Sequence, residues 1–114
     1  MMNKTNETVA EAYYTAMGQK NLDIMEKHLH SNVQFISPFA ELKGKEPVME
    51  AVKKFMALFQ TLTVRTKFSS NEQALVVYDV DFPALIGNIP TASLLTLQDG
   101  LITKIELFFD ARPF

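Results

Sequence analysis

The sequence predicts an α+β domain: three helices packed on a strongly curved, mainly antiparallel sheet. Three observations carry this expectation. Apolar residues recur with a helical period through the first half of the chain and with a period of 2 from Thr61 onward. Asp99-Gly100, the strongest hairpin signal present, separates two alternating runs near the end. No linker-like stretch, internal repeat or low-complexity tract divides the 114 residues, so one domain over 1–114 is the simplest organisation.

Each element follows from its spacing. Val9, Ala12, Tyr13, Ala16 and Met17 fall at i, i+3, i+4, i+7 and i+8, with Thr5 or Asn6 available as a cap and Gly18 as the stop. Asn21 can cap a second, shorter helix that carries Leu22, Met25 and Leu29 and ends near Ser31-Asn32. Val33 to Ser37 alternates as a short strand, and Pro38 to Lys45 reads as a loop or small hairpin. Pro47 fits the first turn of a third helix, whose stripe is Val48, Val52, Phe55 and Phe59, widened by Met49, Ala51 and Met56.

Strands are then expected at Leu62 to Ser69, Gln73 to Phe82, Ile89 to Gln98 and Leu101 to Asp110. Parity puts Val76, Tyr78, Val80 and Phe82 on the inner face, with Val77, Asp79 and Asp81 outside. Arg65 and Lys67 should pair across the hairpin with Asp79 and Asp81. In the last strand Ile105, Leu107 and Phe109 face inward, and Phe108 is an apolar residue on the outer side.

Composition removes several classes of function. With 11 basic and 13 acidic residues the net charge is -2, which gives no field for gathering nucleic acid. No cysteine is present, so disulfides, thiolate catalysis and cysteine-ligated zinc are excluded. The start of the chain is polar and the longest apolar run is Ala74 to Tyr78, from which a soluble, cytoplasmic protein without a membrane partner is expected. His28 and His30 stand at i, i+2 and do not share a helix face, so no metal site is expected. The four scattered glycines build no phosphate loop, and no cofactor is called for.

The order of elements resembles the family of nuclear transport factor 2, ketosteroid isomerase and the SnoaL polyketide cyclases. The anchors are Tyr13 eight residues before Asn21, the Ser37-Pro38 pair, Gly44 before the long helix, and Gly100-Leu101-Ile102 opening the last strand. The resemblance covers nearly the whole chain. It implies a cone of curved sheet closed by three helices, with a pocket inside, commonly for a small apolar molecule, and frequent homodimers; it implies no one reaction. Ketosteroid isomerase needs a carboxylate base, a tyrosine and a protonated Asp, and matching the anchors puts these at Ser37, Tyr13 and Ser93. Only the tyrosine is retained. The His and Asp of the cyclase motif fall on Ile105 and Leu107, and an epoxide-hydrolase relative uses an Arg with two Asp residues that here lie outside by parity.

The resulting expectation is a binder of a small apolar molecule, its pocket lined by Phe35, Phe55, Phe59, Tyr78, Val80, Leu95, Ile105, Leu107 and Phe109. Tyr13, Ser37 and Ser93 would be the polar contacts, while Tyr14, one step round the helix, is read as a rim or surface residue. An alternative is an isomerase, dehydratase or cyclase using Tyr13 and a carboxylate such as Asp110. Another is an interaction module with a filled core. Val77, Leu94 and Phe108 on the convex face are expected to join two copies as a homodimer.

Overall fold

The computed structural model describes residues 2–114, with side chains from Asn6 onward. The chain runs α1 (Met2–Gly18), α2 (Leu22–Lys27), β1 (Leu29–Ile36), β2 (Glu41–Lys43), α3 (Lys45–Met56), β3 (Thr61–Ser69), β4 (Gln73–Phe82), β5 (Gly87–Gln98) and β6 (Leu101–Phe109). The α+β arrangement expected from the change of period, and the cone that the family resemblance implies, are the fold observed.

Local differences have physical causes. α1 starts earlier than its apolar stripe, so Asn6 is no cap. Its Nδ2 donates to the carbonyls of Ser70 (3.2 Å) and Asn71 (2.9 Å), tying the helix to the β3–β4 turn. The Thr5 side chain, the other proposed cap, lies outside the described residues. Asn21 does cap α2, its side chain accepting from Ile24 N. That helix stops at Lys27, because Leu29 pairs in parallel with Ile102 of β6 and Ile102 N donates to His28 O at 2.8 Å. The expected last turn of α2 is therefore the start of β1.

The six strands form one sheet in the order β2-β1-β6-β5-β4-β3, antiparallel except for β1 beside β6. Asp99 and Gly100 both adopt positive φ (53° and 79°), the type I′ pattern that matches strand twist. In the meander from β3 to β6 two irregularities reset the alternation. Between Val64 and Thr66 the register shifts, leaving Arg65 extra. Lys67 consequently turns toward α1 and pairs with Glu11 at 3.1 Å rather than with an aspartate of β4. Arg65 does reach Asp79, at 3.8 Å, while Asp81 accepts from Thr61 and Asn88 instead. A second shift leaves Thr103 extra, which is why Ile102 and Ile105 are both buried although they differ in parity.

The helices cover the inner face. Ala10, Tyr13, Tyr14, Ala16 and Met17 of α1, Met25 of α2 and Val48, Val52 and Met56 of α3 are buried against Val76, Tyr78, Val80, Leu95 and Ile105. Among the described residues no helix is long and apolar enough to cross a membrane.

Candidate functional site

Between α1, α3 and the inner face of the sheet lies a cavity of about 480 Å³. Its size is within the range of small-molecule sites, roughly 300–1,000 Å³. The inner wall is built from Tyr13 and Tyr14 of α1 together with Tyr78, Val80 and Ile105 of the sheet, all nearly or fully buried. Toward the other end it is lined by Phe39, Leu58, Lys54 and Phe114, which are exposed and so mark the mouth. Phe114 stacks edge-on against Phe39, Phe82 and Phe109 with centroids 5.1 to 5.8 Å apart, joining three separate elements at the rim.

The polar groups behave differently from one another. Tyr78 Oη and Ser93 Oγ lie 2.8 Å apart, and Tyr14 joins the same hydroxyl cluster while its ring stacks on that of Tyr78 at 4.7 Å. Burial pushes the Tyr78 hydroxyl up to about 12, against a lowering by its hydrogen bonds to Ser93 and Tyr14. Burial likewise raises Tyr14, reinforced by Tyr78 and Tyr13 alongside. Tyr13 is raised by burial and then by Tyr78. Its hydroxyl, in a residue only 1% exposed, has no hydrogen-bond partner among the described residues. Leaving a hydroxyl unpartnered in an apolar interior costs on the order of 1–3 kcal/mol.

Of the residues expected to line a pocket, Tyr13, Phe35, Ser37 and Phe55 border this cavity, as do Tyr78, Val80, Ile105, Leu107 and Phe109. Three do not. Phe59 turns away to pack on Phe55 and under the Lys20 ammonium, 4.7 Å from its ring centroid. Ser93 is fully buried behind Tyr78, and Leu95 lies two residues further along β5, packed in the core. Tyr14, read as a rim residue, is 1% exposed and forms part of the inner wall, because α1 is buried over a wider arc than one stripe. Ser37 spends its hydroxyl oxygen on the turn after β1, accepting from Phe39 N and Ala40 N, each at 3.2 Å.

Asp110, the candidate acid, is absent from the cavity wall. It ends β6 on the outside, where Arg112 grips it through Nε at 2.9 and 3.0 Å and Nη2 at 2.6 Å. The hydrogen bonds from the Arg112 side chain and backbone hold its carboxyl down at about 2, well below the usual carboxylate range. No Asp or Glu lines the cavity. No group of three or more metal-ligating side chains occurs among the described residues.

A tyrosine-bearing cone with this topology is matched by the model of the SnoaL-like domain over residues 10–105. The chain belongs to the SnoaL-like family. Solved structures agree with this SnoaL-like fold. A protein from Kribbella flavida is 24% identical with a TM-score of 0.91, over 96% of this chain and 90% of that one. A nuclear transport factor 2-like protein of unknown function from Cytophaga hutchinsonii is 25% identical with a TM-score of 0.81, over 92% and 89% of the two chains. An LEH-like epoxide hydrolase of M. tuberculosis is 12% identical with a TM-score of 0.80, over 95% and 84%. No curated protein matches the sequence. Against that hydrolase the SnoaL-like chain shares the fold alone, and its Arg65–Asp79 pair stands on the outer face.

Proposed function

We propose that this SnoaL-like protein binds a small apolar molecule in the cavity, orienting it by one hydrogen bond from Tyr13, and performs no acid–base chemistry on it. The observation that carries this reading is the buried Tyr13 hydroxyl, unpartnered among the described residues, on a side chain that borders an apolar cavity with no carboxylate of the described residues on its wall. A carbonyl or ether oxygen would relieve the buried donor, and the aromatic wall would take up the apolar body. Proton abstraction from carbon needs a base within hydrogen-bond reach of the substrate. Ser37 is engaged in its turn and Asp110 is held outside by Arg112. The open space also disfavours a filled-core module.

The test pairs thermal shift against a panel of apolar ketones and hydrocarbons with an assay for isomerisation of an unsaturated ketosteroid. Stabilisation by ketones beyond matched hydrocarbons, without turnover, is the expected result. Turnover abolished by Asp110→Asn would overturn it in favour of an enzyme.

We further propose that two copies associate through the convex face. Register aligns Phe68, Leu75 and Leu94 in one row across β3, β4 and β5, and Val77, Ala92 and Phe108 in the next row across β4, β5 and β6. Phe68 and Phe108 are 61% and 54% exposed, an uncommon use of large aromatic surface unless it is covered. Arg65, Asp79, Lys104 and Glu106 sit beside these rows and supply the polar rim of an isologous contact.

A further inference from the structure

The polar groups of the cavity are unequal, and sorting them narrows the ligand. Six residues on the wall carry a polar side chain: Tyr13, Tyr14, Ser37, Lys54, Tyr78 and Thr91. Four are already engaged. Tyr14 and Tyr78 share a cluster with Ser93, Ser37 closes its own turn, and Thr91 Oγ1 donates to Ile89 O at 3.1 Å. The two that remain are both donors. Tyr13 offers its hydroxyl at the buried end, and Lys54 offers its ammonium at the mouth, where it forms no ion pair among the described residues.

Lys54 has one glutamate within a helical turn, Glu50, but Glu50 lines a separate groove between α2 and α3 with Asp23, Glu26 and Glu46. At the C-terminal rim Asp110 is paired with Arg112. The mouth thus carries the Lys54 ammonium, without an ion pair among the described residues, above an apolar interior with one buried donor that no described group meets. A cation there would meet repulsion and find no acceptor. A neutral hydrocarbon would leave the Tyr13 donor unmet and the Lys54 ammonium to water.

From this geometry we infer that the ligand is an apolar carboxylate carrying an acceptor oxygen at its far end, its carboxylate held at the mouth by Lys54 and its inner oxygen by Tyr13. The inference rests on the binding reading above and deepens it: the site selects by charge at the mouth as well as by apolar fit. The stem of Lys54 can lie along Leu58 and Phe55 while its head stays in water, the usual compromise of a lysine on apolar surface.

The experiment uses one eleven-carbon body with its ends varied: 10-oxoundecanoate, its methyl ester, undecanoate, and 11-aminoundecan-2-one, each titrated calorimetrically into the wild type, Lys54→Gln and Tyr13→Phe. At low salt the wild type should bind the oxo acid about threefold or more tighter than the ester, with the amine weakest. That preference should vanish in Lys54→Gln and shrink in 1 M salt, where charges are screened beyond about 3 Å. The ketone should add a further threefold or more over undecanoate, lost only in Tyr13→Phe. Equal binding of acid and ester by the wild type, or a preference surviving Lys54→Gln, overturns the charge selection while leaving an apolar binder intact. Absence of binding by all four compounds overturns the binding reading and this inference with it.

Discussion

Tyr78 Oη and Ser93 Oγ face each other across β4 and β5 at 2.8 Å, with both side chains buried. Ser93 pairs with Val76 and Tyr78 with Thr91, so the bond runs diagonally over the inner face of the sheet. It fixes the Tyr78 ring against Tyr14 and leaves Tyr13, the third phenol, without a share in the cluster. The phenols that border the cavity are therefore unequal: two are hydrogen-bonded within the cluster, and the third is not.

Ser93→Ala takes one hydroxyl out of the cluster it shares with Tyr78 and Tyr14 and is expected to destabilise the fold by about 1 kcal/mol, the usual net worth of one hydrogen bond, because Tyr78 still meets Tyr14. Adding Tyr78→Phe should cost less in the Ser93→Ala background than it does alone, because the bond between the two hydroxyls is already gone. Urea unfolding of the two single variants and the double variant gives the coupling. Strict additivity would mean that the bond contributes nothing to stability.

The three tyrosines of the chain are all buried in one place, which makes alkaline titration a direct test of the site. All three have folded pKa values raised above the ordinary 10 by burial, Tyr78 to about 12. The neutral phenols are the form the folded state prefers. Stability from these groups is therefore full below pH 10 and is lost as pH rises through the folded values. Absorbance at 295 nm should show almost no tyrosinate between pH 10 and 11, then rise together with loss of the far-ultraviolet dichroism. A smooth titration near pH 10 with the fold intact would contradict the burial.

The association of two copies is expected to fail in Phe108→Glu, which replaces the large exposed aromatic of the row formed with Val77 and Ala92 by a charge. Phe68→Glu, at the edge of the next row, should weaken it less. Sedimentation velocity over a hundredfold range of concentration reads both. A wild type that stays monomeric throughout would remove the convex face as an interface.

What the sequence disclosed was mostly periodicity. The change of period at Thr61 and the turn at Asp99-Gly100 fixed the α+β arrangement, and the inward set of β4 was legible to the residue because no bulge interrupts it. Parity misplaces Lys67, because an extra residue, Arg65, inverts the strand after it, and no local pattern announces a bulge. The apolar stripe of α1 does not place Tyr14, because one stripe cannot show that the helix meets both the sheet and a cavity. Leu29 reads equally as the last turn of a helix and the first residue of a strand; only its partner Ile102 decides. Lys54, Leu58 and Phe114 came to the mouth through tertiary placement, which spacing within α3 or the C-terminal segment does not encode.

The sharpest expectation concerns Tyr13→Phe, for which stability and binding should move in opposite directions. The hydroxyl is buried without a partner among the described residues, so the folded state bears its desolvation with no bond in return, a cost on the order of 1–3 kcal/mol. Phenylalanine keeps the ring and its edge-on contact with Tyr14 at 5.0 Å while removing that cost. Thermal denaturation should show a higher midpoint for the variant, by several degrees for a domain of this size. Affinity for an apolar ketone should fall about threefold to tenfold, because the one hydrogen bond that orients it is gone. Affinity for the matched hydrocarbon should hold or improve. A core tyrosine with no binding role predicts none of this contrast: if the variant is less stable than the wild type, the hydroxyl has a structural partner and Tyr13 is not the donor that the cavity presents.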